Sequence, residues 1–158
     1  VARRRCVCDN RRERGLNPMT MRFVLAVLLG MLTIAVCGGL LYGVIFAEFF
    51  RSNITLAVMK SPPSLAWVGV SHVPFGILLA LVVRWRGVLT AGGGAVSGGT
   101  LGFLMAASYN LSQYGTTTLW TLRLTLLEPV LTAVMTAAAG VVVGLVLGGG
   151  THRSRAID

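Results

Sequence analysis

Three ionisable side chains lie within long apolar stretches of the sequence or directly at their ends and are the first candidates for chemistry: Glu48, His72 and Glu128. Ionisable groups inside a bilayer are costly, so they commonly serve proton transfer or ion binding. Their positions predict that all three lie in the outer half of their helices, together with several uncharged polar residues. We therefore expect a candidate polar pocket that opens outward and is formed by Glu48, His72, Ser108, Asn110, Tyr114 and Glu128.

Each ionisable candidate also has a structural explanation. A neutral His72 would be hydrogen-bonded to a neighbouring helix. Glu48 precedes Arg51 by three residues, a spacing that allows a salt bridge at the membrane interface. Thr125 and Glu128 fit the capping box that begins a helix. The sequence shows that these polar residues share a depth, but it leaves open whether they converge.

An intramembrane hydrolase is a remote alternative, because Ser97 is expected at a depth similar to that of His72 and could pair with it as a Ser–His dyad. Packing explains the glycine-rich surroundings of Ser97 as well, and four helices leave little room for a water-filled site. A single histidine in the apolar stretches excludes a bis-histidine haem within one chain. Cys6 and Cys8 are too close together for a four-ligand metal knuckle. We expect no metal, no cofactor and, on balance, no catalysis.

The elements that position these residues follow from how sparse the charges are. Charged side chains separate four apolar stretches, which are Phe23–Ala47, Ser61–Val83, Gly87–Leu122 and Pro129–His152. A helix needs about 20 apolar residues to cross a bilayer. The sequence therefore predicts an all-α membrane protein, a four-transmembrane-helix bundle with helices at about 22–50, 65–83, 88–108 and 125–148.

The domain organisation is correspondingly simple. Residues 21–150 are expected to form a single transmembrane domain, and residues 151–158 a short cytoplasmic tail. Residues 1–20 are polar and arginine-rich, so they are either a disordered basic arm or the result of a mis-assigned start.

The distribution of positive charge predicts the orientation, because arginine and lysine accumulate on the cytoplasmic side. One side of the predicted bundle receives the six arginines of the arm together with Arg22, Arg84, Arg86, Arg153 and Arg155. The other side receives only Arg51, Lys60 and Arg123. We therefore expect both termini in the cytoplasm (N-in/C-in). Residues 1–18 carry +4 of the net charge of +9, and the remaining +5 lies mostly at the ends of the apolar segments, which favours the lipid bilayer as partner and argues against nucleic acid.

Small residues recur at every fourth position in three of the predicted helices. Such stripes allow close helix packing where lipid offers no hydrophobic drive for association. The packing candidates are Gly39 and Gly43 in the first helix, Gly94, Gly98 and Gly102 in the third, and Gly140, Gly144 and Gly148 in the fourth. These glycine seams serve either the bundle itself or a homo-oligomer.

A set of short motifs is spread over most of residues 22–148. The motifs are Tyr42-Gly43, Glu48-Phe49-Phe50, Asn53, Met59-Lys60, Trp67, Gly102-Phe103-Leu104-Met105, Ser108-Tyr109-Asn110-Leu111 and Tyr114-Gly115-Thr116. In these motifs the chain resembles a group of small four-helix bacterial integral membrane proteins with a Tyr-Gly-Thr element after the third helix. The resemblance implies the architecture and a multi-pass location in the bacterial inner membrane. It implies no activity, because none is known for the group.

The sequence thus predicts a non-enzymatic integral membrane protein with a structural or interaction role. The alternative is a small proton- or ion-coupled transporter or channel subunit that uses His72 with Glu48 or Glu128.

Overall fold

A computed structural model describes residues 18–54, 64–87 and 89–149 of the chain. The helices are α1 (Pro18–Leu40), α2 (Ala47–Asn53), α3 (Leu65–Trp85), α4 (Ala91–Thr116) and α5 (Leu122–Gly148), with a π-helical turn at Leu41–Ile45. Extended pairing in this part of the chain is limited to one antiparallel bridge between Ile54 and Trp120. The predicted all-α class is confirmed.

Three helical segments are long and apolar enough to cross a membrane: Thr20–Ile45, Leu65–Trp85 and Leu122–Gly148. Helix α4 is as long as these segments but is rich in glycine, serine and threonine, which lowers its hydropathy. The structure therefore supports a helical membrane protein with three candidate spans, and a fourth span through α4 remains a prediction.

The first predicted helix is interrupted where the sequence suggested continuity. Helix α1 gives way to the π-turn at Leu41, and the backbone N–H of Phe46 donates to the carbonyl of Leu41 across five residues at 2.8 Å. A π-turn inserts one extra residue and shifts the side chains around the helix axis, and such turns are frequent at functional sites. Tyr42 lies in this turn and is half-buried against α5.

Helices α4 and α5 approach each other until their backbones touch. A β-carbon on Gly94 would overlap the carbonyl oxygen of Gly140, and one on Gly98 would overlap the carbonyl oxygen of Thr136. The same close approach holds for the other glycines of this seam, which are Gly102, Gly144 and Gly148. This pair is the most extensive helix–helix contact of the fold, and it fixes α4 rigidly against α5.

The glycines of the first predicted stripe behave differently. A β-carbon on Gly39 or Gly43 would meet no described atom within 4 Å. Helix α1 instead comes close to its neighbours at Gly30 and Gly38, where a β-carbon would lie 2.9 Å from Val143 Cγ2 and 3.1 Å from Met135 Sδ. The Gly39 and Gly43 stripe of α1 therefore faces outward and not toward the packed face.

The hydrophobic core lies between α1, α3 and α5. Its buried members are Ala26, Val27, Ile34, Leu79, Ala80, Val83, Met135, Ala139 and Val143. At the other end of the bundle, Thr121 Oγ1 donates to Asn53 Oδ1 at 2.8 Å and ties the end of α2 to the α4–α5 connection. This arrangement holds the π-turn beside the first turns of α5, where the polar residues gather.

Candidate functional site

The carboxylate of Glu128 is the centre of the polar contacts between helices. Its Oε1 accepts from Thr132 Oγ1 at 2.7 Å and from the hydroxyl of Tyr42 at 3.1 Å. Its Oε2 accepts from Asn110 Nδ2 at 2.6 Å. The hydroxyls of Tyr42 and Thr132 are also 3.0 Å apart. We call these four residues the Glu128 cluster; it joins the π-turn, α4 and α5.

The start of α5 explains why Glu128 is free to point toward its neighbours. Thr121 is the N-cap residue, and its hydroxyl accepts from the backbone N–H of Leu124 at 3.3 Å. The helix therefore begins at Leu122 and not near Thr125, so Thr125 and Glu128 do not form the capping box that the sequence suggested. Thr125 instead donates its hydroxyl to the carbonyl of Thr121 at 3.0 Å.

The polar contacts of the Glu128 carboxylate with the described residues are hydrogen bonds from uncharged groups. Glu128 is half-buried and forms no ion pair within the described residues. Its three donors are uncharged: one phenol, one hydroxyl and one amide.

Asn110 is the most constrained member of the cluster. It is 1% exposed, and its Oδ1 is buried with no hydrogen-bond partner in the described part of the chain. A buried acceptor without a donor costs about 1–3 kcal/mol, so a lone Oδ1 beside a carboxyl group calls for an explanation. The two ends of an amide differ little in shape, and a half-turn about its last bond exchanges donor for acceptor. In that orientation Oδ1 would face Glu128 Oε2 and accept a hydrogen bond from a protonated carboxyl.

His72 lies near the Glu128 cluster but is not bonded to it. Its Nδ1 is 2.5 Å from the carbonyl oxygen of Val68 on the same helix. Because a carbonyl only accepts, Nδ1 carries the proton, and Nε2 is the nitrogen left to bind another group. His72 lines a cavity of about 200 Å³ whose other walls include Ile34, Phe75 and the cluster member Thr132.

The remaining predicted pocket residues lie elsewhere. Glu48 is exposed on α2, and no ion pair joins it to Arg51. Ser108 lines an open groove on α4 together with Tyr109, and Tyr114 is exposed near the end of that helix. Of the six predicted residues, the structure brings only Asn110 and Glu128 into direct contact.

Two members of the Glu128 cluster, Tyr42 and Thr132, were not predicted from the sequence. Thr132 lies four residues after Glu128 and hence on the same helix face, and this spacing is the signal that could have identified it. Tyr42 had no such signal, because its approach depends on the π-turn and on the packing of α1 against α5.

No protein family model matches the chain, and neither a curated protein nor a solved structure is similar to it.

The described residues do not adopt the geometry that the catalytic alternatives require. Ser97 Oγ donates to the carbonyl of Gly93 at 2.7 Å and accepts from Arg86 Nη1 at 2.7 Å, so its partners are not those of a Ser–His dyad. Over the described residues, no group of three or more His, Cys, Asp or Glu side chains is placed to hold a metal ion. Cys6 and Cys8 lie outside those residues.

Proposed function

We propose that this protein is a non-enzymatic, multi-pass protein of the bacterial inner membrane whose Glu128 carboxyl binds and releases one proton. Four membrane spans are inferred, with α4 as the fourth, and the excess of arginine on one side favours an N-in/C-in orientation. The length of α4, about 39 Å at 1.5 Å per residue, is sufficient to cross the hydrocarbon layer. Its intimate packing on α5 supports a shared membrane location.

The pairing of Glu128 with Asn110 is the observation that carries the proton-binding proposal. In the structure Asn110 Nδ2 donates to Glu128 Oε2, and this is the arrangement that an ionised carboxylate would require. A protonated carboxyl would donate to Asn110 Oδ1 after the amide turns over. The amide therefore satisfies either protonation state of Glu128, and its currently unpartnered oxygen is the acceptor that the protonated state requires.

The groups around Glu128 are compatible with a single exchangeable proton. Tyr42 on the π-turn and Asn110 on α4 are the facing polar groups from the packed helices, and Thr132 lies on α5 itself. His72 on α3 is separated from the carboxylate by the cavity that Thr132 also lines.

A small proton-coupled transporter or channel subunit is the second candidate. The cavity between α1, α3 and α5 favours it, since Thr132 belongs both to this cavity and to the Glu128 cluster. His72 Nε2 and Glu128 would then be the two proton-binding groups of one path. Glu48 has no part in this candidate, because it is exposed on α2.

Infrared difference spectroscopy of the protein in lipid vesicles tests the proton-binding proposal. A carbonyl band from a protonated carboxylic acid should appear as the pH is lowered, and the E128Q variant should lose it. The E48Q variant removes an exposed carboxylate and should keep the Glu128 band. In N110L the band should shift, because the protonated carboxyl loses its amide acceptor. If E128Q and the wild type give the same carboxyl bands at every pH, the proposal fails.

The transporter candidate has its own measurement. Proteoliposomes that contain a pH-sensitive dye should acidify faster with the wild-type protein than with E128Q when a pH gradient is imposed. If acidification is equally fast with the wild type and with E128Q, and the Glu128 carboxyl band is present, the protein binds a proton but does not conduct protons.

A further inference from the structure

A second polar feature lies at the opposite end of the bundle from Glu128. Arg86 follows the last residue of α3, and its Nη1 donates to Ser97 Oγ on α4 at 2.7 Å. Ser97 is 3% exposed, whereas Arg86 is exposed. The guanidinium is thus anchored at one nitrogen, and most of its five N–H donors are left for another partner.

An apolar groove extends from this guanidinium along the outside of the bundle. Helix α4 packs chiefly on α5, and between α4 and α3 there is an open depression of about 400 Å³. Its walls are Val82 of α3 and Val96, Leu101 and Leu104 of α4. Val96 and Leu104 are each 60% exposed, so the groove opens toward the surrounding lipid.

The direction of the groove suits the upper part of an extended hydrocarbon chain. Ser97, Leu101 and Leu104 lie on one face of α4 because they are spaced by four and three residues. At 1.5 Å per residue, Leu104 is about 10 Å deeper along the helix than Ser97. The polar end of the groove is therefore at Arg86, and its apolar end is within the membrane-spanning region.

The charges at this end of the bundle favour an anion. Arg84 lies two residues before Arg86, with its guanidinium 5.9 Å from the ring centre of Phe23 at the start of α1. The two acidic residues in the described ranges, Glu48 and Glu128, are both at the other end of the bundle. An arginine presents paired N–H donors that suit phosphate geometry.

We propose that the groove between α3 and α4 binds one acyl chain of an anionic phospholipid, whose phosphate pairs with Arg86. Ser97 is a positioning residue in this site, because it holds the guanidinium over the mouth of the groove without itself facing the phosphate. Arg84 contributes general positive charge but does not line the groove.

Native mass spectrometry of the detergent-solubilised protein tests this site. Phosphatidylglycerol and phosphatidylcholine with identical acyl chains should be titrated separately. The wild type should bind one phosphatidylglycerol more tightly than one phosphatidylcholine. R86Q should weaken phosphatidylglycerol binding about fivefold, the effect of about 1 kcal/mol expected for one cation at a lipid headgroup. R84Q is the matched control and should change the affinity for phosphatidylglycerol less than twofold.

Two further variants separate the parts of the site. L104W fills the groove and should weaken the binding of both lipids, whereas S97A should weaken phosphatidylglycerol binding alone. Soluble glycerol phosphate should not displace the bound lipid, since it lacks the acyl chain. Equal losses in R86Q and R84Q would mean diffuse surface charge, and equal wild-type affinities for the two lipids would mean no headgroup selection; either result overturns the proposal.

Discussion

Glu128 on α5 accepts a 2.6 Å hydrogen bond from Nδ2 of Asn110 on α4, while the Oδ1 of that same amide has no partner among the described atoms. Different structural features position Glu128 and Asn110. The glycine seam brings α4 and α5 into backbone contact, and the cap at Thr121 sets the rotation of α5. Their contact is therefore a product of tertiary packing.

Removing the acceptor of the Glu128 cluster should destabilise the fold. In E128A the donors of Tyr42, Asn110 and Thr132 lose their common acceptor, and the free energy of unfolding should fall by about 2–4 kcal/mol. E128Q keeps one carbonyl oxygen as an acceptor, so its free energy of unfolding should fall by only about 1 kcal/mol. Reversible unfolding in mixed detergent micelles measures both values.

The control for this series is E48A, because Glu48 is exposed and makes no described ion pair. Its unfolding free energy should stay within about 0.5 kcal/mol of the wild type. Equal destabilisation by E128A and E48A would contradict a role for the hydrogen bonds in holding α1, α4 and α5 together.

The hydroxyls of Tyr42 and Thr132 should be energetically coupled, because they bond to each other and to the same carboxylate oxygen. A double-mutant cycle of Y42F and T132V should give a coupling energy of about 0.5–2 kcal/mol. Y42F preserves the ring, which packs edge-to-face on Phe50 with ring centres 4.8 Å apart. The cycle therefore isolates the hydroxyl.

A second cycle supplies the comparison. Thr125 also lies on α5 but bonds only to the backbone of its own helix. Y42F and T125V should therefore be additive within about 0.5 kcal/mol. A coupling as large as that of the first pair would point to a general effect on α5 and not to the cluster.

The sequence predicts the apolar helices well because lipid imposes a simple requirement on length and charge. Helix α3 begins at Leu65, as expected from the preceding Ser-Pro-Pro-Ser turn, and ends at Trp85, two residues beyond the expected end. Gly87 follows α3 in the interval between the predicted second and third helices, and its positive φ of 67° is a backbone conformation that favours glycine.

The polar site was harder to predict, for reasons visible in α4. Polar residues after Ser108 suggested an interfacial loop, yet the helix continues to Thr116. Its last turns are supported by bonds within the helix, including Gln113 Nε2 to Tyr109 Oη at 2.7 Å. This extension places Asn110 on a buried helix face. Neither the extension nor the π-turn at Tyr42 has a strong local signal, because both depend on packing between helices.

Glycines on the α4–α5 seam should be far less tolerant of substitution than those on the outer face of α1. G140L places a side chain against the backbone of Gly94, so the unfolding free energy should fall by about 3 kcal/mol or more. A β-carbon on Gly39 would meet no described atom within 4 Å, so G39L should leave the stability of the monomer unchanged within about 1 kcal/mol.

The same pair of variants tests self-association. If the Gly39 and Gly43 face forms a homo-oligomer, chemical crosslinking in membranes should detect it in the wild type and lose it in G39L. Crosslinking that is unchanged in G39L would assign the self-association, if any, to another surface.

The proposed fourth span requires the two ends of α4 to lie on opposite sides of the membrane. Trp85, at the end of α3, is 74% exposed, and Thr118, in the α4–α5 connection, is also exposed. In a background without native cysteines, T118C should react with a membrane-impermeant maleimide added outside intact cells, whereas W85C should react only after the membrane is opened. Labelling of both from one side would show that α4 does not span. Labelling of W85C alone from outside would keep four spans and reverse the N-in/C-in orientation, because the positive charges at the α3–α4 turn would then face outward.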